Sequence, residues 1–167
     1  MDLHSKIVTG TFWHGLGTEA AWLAVSSGGA LRLPEPGAHA HDPGDYGLGV
    51  YLTDSQVRAA TYAARVKGRV AAVVKCRVEL ENAVIFDWRT GSGLDRSHPT
   101  NVLTEFFEKL YGNPVRGTPE DRRAAAERWR DGMLARCYDG VIVMRAGETE
   151  VVVYCPEKSI RVICPEE

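Results

Sequence analysis

The sequence predicts an α+β fold, on the basis of two patterns. Short β-like runs lie in the first half of the chain and in its last thirty residues, and the two longest helical patterns lie between them. The predicted strands are residues 8–13, 49–52, 69–80, 83–86, 140–144, 150–154 and 159–164. Strands that are grouped apart from helices favour a mostly antiparallel sheet with helices packed against it. We predict a single domain over residues 1–167, since this length can bury its own core.

Helical patterns and turn-rich stretches complete the predicted element order. The predicted helices are residues 18–26, 56–64, 100–111 and 119–137. Thr53 or Asp54 is the expected N-cap of the second helix. Residues 33–49, rich in Pro, Gly, His and Asp, predict a long loop, and residues 87–99 predict another. The centre of the strand at 69–80 is Val- and Ala-rich, so we expect it to be buried on both faces.

Composition and charge point to a soluble protein of the cytoplasm. The net charge is −2, which gives no overall attraction to nucleic acid or membranes. Residues 1–10 lack the apolar core of a signal peptide, and no apolar stretch approaches the length of a membrane span. Three of the four cysteines sit in apolar runs, so we interpret the cysteines as reduced thiols.

Four places carry residues that are suited to chemistry, although each has an ordinary explanation. His14-Gly15 follows a strand and is also typical of a plain turn. Tyr51 ends a strand beside two glycines, which suits a core edge equally well. Glu148 and Glu150 open a very apolar run, and residues two apart in a strand share a face. His39 and His41 have a ligand-like spacing, but no further residues complete the pattern, so we predict no metal site.

The order of these features carries more information than any of them alone. The relevant segments are residues 12–15 (FWHG), 31–34 (LRLP), 47–54 (GLGVYLTD), 68–75 (GRVAAVVK) and 150–154 (EVVVY). In this order they resemble the His-Tyr-Glu branch of the ADP-ribosyltransferase superfamily, which includes diphtheria toxin and the poly(ADP-ribose) polymerases. The resemblance covers residues 9–87 and 140–164 and leaves a helical insert at about 88–139. It implies split antiparallel sheets around an NAD cleft.

The resemblance also implies roles for particular residues. Tyr51 and Tyr62 would stack on the cationic nicotinamide ring of NAD. Gly15 would hold the carboxamide through its backbone, and His14 would bind a ribose hydroxyl. Glu150 would stabilise the positive charge that develops on the ribose as the glycosidic bond breaks.

Two further roles concern an arginine and a loop, and three positions differ from the usual motifs of the family. Arg32 would reach the pyrophosphate, and the loop at 34–46 would cover the donor. Ala59 stands where polymerase-type relatives have a serine that holds the carboxamide, and Leu16 replaces a frequent hydroxyl residue. Glu148 forms a Glu-x-Glu pair of the kind used by an arginine-modifying branch, but here we favour a solvated side chain.

The acceptor is left open by the sequence. We predict a bacterial, toxin-like mono-ADP-ribosyltransferase that uses NAD and modifies a macromolecule, either protein or nucleic acid. The alternatives are an NAD glycohydrolase, a transferase for a small molecule such as an antibiotic, and a non-catalytic NAD- or ADP-ribose-binding module. In the insert, Leu103, Phe106, Phe107 and Leu110 fit one apolar stripe. Its arginines alternate with acidic residues, which favours a solvated face over a nucleic-acid surface.

Overall fold

A computed structural model describes residues 5–16, 25, 28–34, 44–65, 72–91 and 94–163. In these ranges the strands are β1 (Ser5–Leu16), β2 (Val50–Thr53), β3 (Ala72–Asp87), β4 (Gly140–Arg145), β5 (Glu148–Val153) and β6 (Ile160–Ile163). The helices are α1 (Gln56–Arg65), α2 (Pro99–Tyr111), α3 (Pro119–Ala135) and the single turn α4 (Pro156–Ser159). No helix in these ranges has the length and apolar character that crossing a membrane requires. The mixed α+β class predicted from the sequence is confirmed.

The strands form a six-stranded, mostly antiparallel sheet in the order β1-β2-β5-β4-β3-β6. β1 also pairs with β3, so the first five strands in this order close into a ring. Among the strand pairings of the described residues, only β3–β4 is parallel. That exception follows from the chain path, because α2 and α3 form the crossover that a parallel connection requires.

Two apolar cores lie on opposite faces of the strands, as the period of two along a strand dictates. The first core lies inside the ring and includes Phe12, Leu52, Val78, Ile142 and Val151. The second lies between the other face and the helices, and it includes Phe86, Phe107, Trp129, Val143 and Val152. Successive residues of β5 therefore belong to different cores, and this alternation determines which side chains can reach the candidate site.

The helical region 88–139, which the resemblance leaves unmatched, packs on the sheet and contributes to the second core. Phe107, Trp129 and Met133 are fully buried, and the Trp129 indole N–H donates to the carbonyl of Gly112 at 2.7 Å. Helix α3 begins with a capping box in which Thr118 and Asp121 satisfy each other's backbone N–H groups. The predicted stripe on α2 is correct at Leu103 and Phe107, but Leu110 is 46 % exposed and does not belong to it.

Two predictions about strands are wrong. The strands predicted at 69–80 and 83–86 are not separate, because the described residues of both belong to one continuous strand, β3 (Ala72–Asp87). Its centre is not buried on both faces, because Lys75, Arg77 and Glu79 alternate with buried residues and point outward. The Val- and Ala-rich composition favours a fully buried strand, but the charged residues at every second position correctly indicate that one face is exposed.

The predicted cap of α1 is also wrong. Ser55 caps this helix, since its Oγ accepts a hydrogen bond from the Arg58 N–H at 3.2 Å. Asp54 instead accepts from the Thr149 N–H at 3.0 Å and so ties the start of the helix to β5. The predicted helix at 18–26 lies outside the described residues except for Val25, and most of the predicted loop at 33–49 lies outside them as well.

Candidate active site

Glu150 lies on the face of β5 that carries the second core, at the point where that core ends. Strand register places Phe86, Val143, Glu150 and Thr53 in one row across β3, β4, β5 and β2. Tyr51 lies in the next row, opposite Val152. Because paired residues of adjacent strands share a face, Tyr51, Thr53 and Glu150 project to the same side of the sheet.

The Glu150 carboxyl is held in a buried setting that opposes its ionisation. The residue is 8 % exposed, and burial raises its pKa from 4.5 to about 7. The negative charges of Glu148 and Asp45 act in the same direction. Arg145 opposes them, with its Nη1 lying 3.8 Å from Glu150 Oε1, and Arg58 opposes them more weakly. Glu150 can therefore exchange between its neutral and charged forms near neutral pH.

Glu148 is buried beside Glu150, so the expectation of a solvated side chain is wrong. It is 7 % exposed, accepts a hydrogen bond from the Thr53 hydroxyl at 3.2 Å, and pairs with Arg58 Nε at 3.2 Å. The two carboxylates share a face, as their spacing predicts. Thr53 and Arg58 hold Glu148 from two different elements, β2 and α1, and this arrangement fixes its position.

The Tyr51 hydroxyl is tied to the backbone of the loop before β2. It donates to the carbonyl of Gly47 at 2.7 Å and accepts from the Tyr46 N–H at 3.0 Å. Gly44 has a φ of +92° and packs so closely on the Tyr51 ring that a Cβ atom there would collide with it. Burial raises the pKa of Tyr51 well above its ordinary value, so this phenol stays neutral.

His14 and Tyr51, two of the predicted site residues, are joined directly. His14 Nδ1 lies 2.7 Å from the Tyr51 carbonyl oxygen. Since a carbonyl only accepts, His14 Nδ1 carries the proton and donates it to Tyr51. Gly15 packs against α1, where an added Cβ would collide with the Ala59 carbonyl and lie 3.0 Å from the Ala63 nitrogen. This close approach is a structural reason for glycine here, and the carboxamide role of Gly15 stays a prediction.

Tyr62 lies near the two carboxylates, whereas Arg32 is not joined to them. Tyr62 projects from α1 and is 39 % exposed; burial chiefly raises its pKa, and the charges of Glu150 and Glu148 add to the effect. Arg32 is exposed, and among the described residues no hydrogen bond or ion pair connects it to the other predicted site residues. The proposed covering loop, like His39 and His41, lies mostly or wholly outside the described residues.

Several residues of this site were not found by sequence reasoning. They are Tyr46, Thr53, Arg58, Trp88 and Arg145. Arg145 could have been found, because Ala146-Gly147 forms a two-residue turn and the residues flanking it, Arg145 and Glu148, must pair. The Tyr46–Trp88 contact joins residues 42 positions apart and leaves no local signal in the sequence.

A groove of about 240 Å³ lies on the opposite face of the β4–β5 hairpin. Its lining includes Ile7, Phe12, Met144, Thr149 and Val151, together with Lys6, but no carboxylate. Thr149 and Val151 alternate with Glu148 and Glu150 along β5, so the groove is separate from the carboxylate pair. In the described part of the chain, no group of three or more His, Cys, Asp or Glu side chains is placed to hold a metal ion.

Comparisons with known proteins give a likeness in structure but none in sequence. No protein-family model and no curated protein matches this chain. A chain of the crystal structure of the M. tuberculosis MbcT-MbcA toxin-antitoxin complex is similar to it over 95 % of this chain and 84 % of that chain, with 16 % sequence identity and a TM-score of 0.44. The functional interpretation of the site therefore follows from its own residues.

Proposed function

We propose that this protein is an NAD-dependent mono-ADP-ribosyltransferase, with His14, Tyr51 and Glu150 at its active site. The observation that carries the proposal is the buried Glu150 carboxyl, whose pKa is about 7. It stands on the same face as Tyr51, and Tyr51 is hydrogen-bonded to His14 through its carbonyl. The order of these three residues along the chain and their positions on the neighbouring strands β1, β2 and β5 support the same activity.

The proposed reaction breaks the bond between nicotinamide and ribose. The bonding electrons leave with the nicotinamide, which becomes neutral, and positive charge develops on the ribose. A carboxylate in a poorly solvated site stabilises that charge more than one in water does. Glu150 supplies it in its ionised form, and the positive nicotinamide of bound NAD favours that form. An acceptor nucleophile then bonds to the ribose carbon and loses its proton.

The other side chains fit the binding of NAD. In the neutral His14 ring, Nε2 can accept a hydrogen bond from a ribose hydroxyl. Tyr62, on α1 near Glu150, offers an aromatic face to the cationic ring. Tyr51 contributes its own ring while its hydroxyl stays tied to the loop. The roles of Gly15 with the carboxamide and of Arg32 with the pyrophosphate belong to the proposal as well.

Glu148 supports an acceptor-handling role next to the catalytic carboxylate. Two buried carboxylates on one face repel each other, and Thr53 and Arg58 hold one of them in place. A pure binding module would gain nothing from this unfavourable arrangement, so it favours catalysis over a non-catalytic NAD- or ADP-ribose-binding module. We propose further that the protein is a bacterial, toxin-like transferase and that its acceptor is a macromolecule. Hydrolysis of NAD and transfer to a small molecule remain the alternatives within enzymes.

Incubation with NAD labelled in the adenylate part, with parallel measurement of free nicotinamide, tests the proposal. We expect label on protein or nucleic acid of a cell lysate and stoichiometric release of nicotinamide. Release without labelled macromolecules would instead support a glycohydrolase or a small-molecule acceptor. Binding of NAD with no release under any condition would support the non-catalytic module and overturn the proposal.

A further inference from the structure

Tyr46 is fixed on three sides, although nothing in the sequence singled it out. It is 5 % exposed and lies in the loop just before β2. Its N–H donates to the Tyr51 hydroxyl at 3.0 Å, and its carbonyl accepts from the Tyr154 hydroxyl at 2.6 Å. Its ring packs on Phe86 with a centroid distance of 4.8 Å. All of these contacts use the backbone or the ring, so none of them explains why the side chain carries a hydroxyl.

Trp88 determines how that hydroxyl is oriented. The indole N–H of Trp88 donates to the Tyr46 oxygen at 3.0 Å, and the Trp88 backbone N–H donates to the Met144 carbonyl at 2.8 Å. Since an indole N–H can only donate, the Tyr46 oxygen accepts here, and the phenolic proton must go to another acceptor. Among the described residues no acceptor lies within hydrogen-bond distance of that proton.

The surroundings of the Tyr46 hydroxyl belong to the candidate site. Phe86, under the Tyr46 ring, stands in the same row as Val143 and Glu150, about 10 Å from Glu150 across two strand spacings. Burial raises the pKa of Tyr46, while the charge of Arg145 lowers it and that of Glu150 raises it. The charges of both residues therefore act on the Tyr46 hydroxyl.

We propose that the Tyr46 hydroxyl is a further binding group of the active site, and that it donates its proton to a ribose oxygen of bound NAD. Because Trp88 donates to the phenolic oxygen, the phenolic proton is left for a bound ligand. The assignment of the ligand rests on the proposed function. The contact with Trp88 uses only the oxygen of the Tyr46 hydroxyl, and the proposed role uses its proton as well.

Replacement of Tyr46 by Phe tests the proposal, because it removes the hydroxyl and keeps the ring and backbone contacts. We expect kcat/KM for nicotinamide release to fall about tenfold, the effect of one lost hydrogen bond to a substrate, with a melting temperature within a few degrees of the wild type. Trp88→Phe should lower kcat/KM by a smaller factor, since the phenolic proton of Tyr46 is still present but Trp88 no longer orients the hydroxyl. The matched control is Tyr111→Phe, which removes a hydroxyl that accepts from Arg136 at the exposed side of α2.

The possible results separate this inference from the proposed function. If wild-type protein cleaves NAD, Glu150→Gln does not, and Tyr46→Phe equals the wild type, only the role of Tyr46 is overturned. If Glu150→Gln keeps full activity, the proposed mechanism fails whatever Tyr46→Phe does. A wild-type protein that neither binds nor cleaves NAD overturns both. An equal loss in Tyr46→Phe and Tyr111→Phe would show a general effect on folding and contradict the specific role.

Discussion

Replacing Glu150 by Gln should make the protein more stable at alkaline pH while abolishing its activity. The pKa of Glu150 is about 7 in the folded protein, against 4.5 for an ordinary glutamate. Each unit of difference between the folded and unfolded pKa corresponds to about 1.4 kcal/mol in the free energy of unfolding. Above pH 7 the folded protein must therefore carry a charge that costs about 3 kcal/mol, whereas the unfolded chain carries the same charge in water without this penalty.

The sign of the effect defines its pH window. The pKa of Glu150 is higher in the folded protein (about 7) than in the unfolded chain (4.5). Below about pH 4.5 the wild type therefore keeps its full stability relative to Glu150→Gln, and it loses that stability as the pH rises through 7. Urea unfolding at pH 4.5 and pH 8 measures both ends. We expect equal free energies of unfolding at the lower pH and an excess of about 3 kcal/mol for the variant at the higher pH.

An exposed residue provides the control for this experiment. Glu105→Gln on the surface of α2 should change the free energy of unfolding by less than about 0.5 kcal/mol at either pH. A Glu150→Gln variant that is less stable than the wild type at pH 8 would show that the carboxylate contributes to folding. A pH-independent difference would show that Glu150 ionises as it does in water. Either result would refute the conclusion that the ionised Glu150 carboxylate lowers the free energy of unfolding.

Further predictions concern the charges around the site and the second core. Because the proposed mechanism uses Glu150 in its ionised form, kcat/KM for nicotinamide release should fall about tenfold per pH unit below pH 7 and level off above pH 8. Arg145→Gln removes a charge that lowers the pKa of Glu150, so the acid limb of the pH–rate profile should move to higher pH. An acid limb that stays in place would contradict the Arg145–Glu150 contact. The control variant is Arg161→Gln, which changes an exposed arginine. Trp129→Ala should lower the free energy of unfolding by about 4 kcal/mol in urea titrations, and a loss below about 1 kcal/mol would show that α3 is a peripheral insert.

Sequence reasoning succeeded where local pattern and chain order determine the result. The strands around Tyr51 and Glu150 and the helix that carries Tyr62 lie close to their predicted positions, because apolar periodicity and turn residues define them locally. The shared face of Glu148 and Glu150 follows directly from the strand period. His14 and Tyr51, predicted to belong to one site, are in hydrogen-bond contact.

Sequence reasoning failed where burial depends on residues that are distant in the chain. Glu148 is buried because Thr53 and Arg58 reach it from β2 and α1, and no local pattern records that contact. The burial of Trp129 in the second core likewise depends on contacts with residues of β3 and β4, which no local pattern around residue 129 records. The role of Tyr46 depends on Trp88 and Glu150, which lie in other parts of the sequence, so it becomes visible only in the folded chain.

The most direct test of the central claim is the release of nicotinamide from NAD by wild-type protein and by Glu150→Gln, with NAD binding to both measured by calorimetry. We predict that the variant binds NAD with an affinity within a few-fold of the wild type and releases nicotinamide at least a hundredfold more slowly. Equal release rates at equal binding would contradict the catalytic role of Glu150 and, with it, the proposed function.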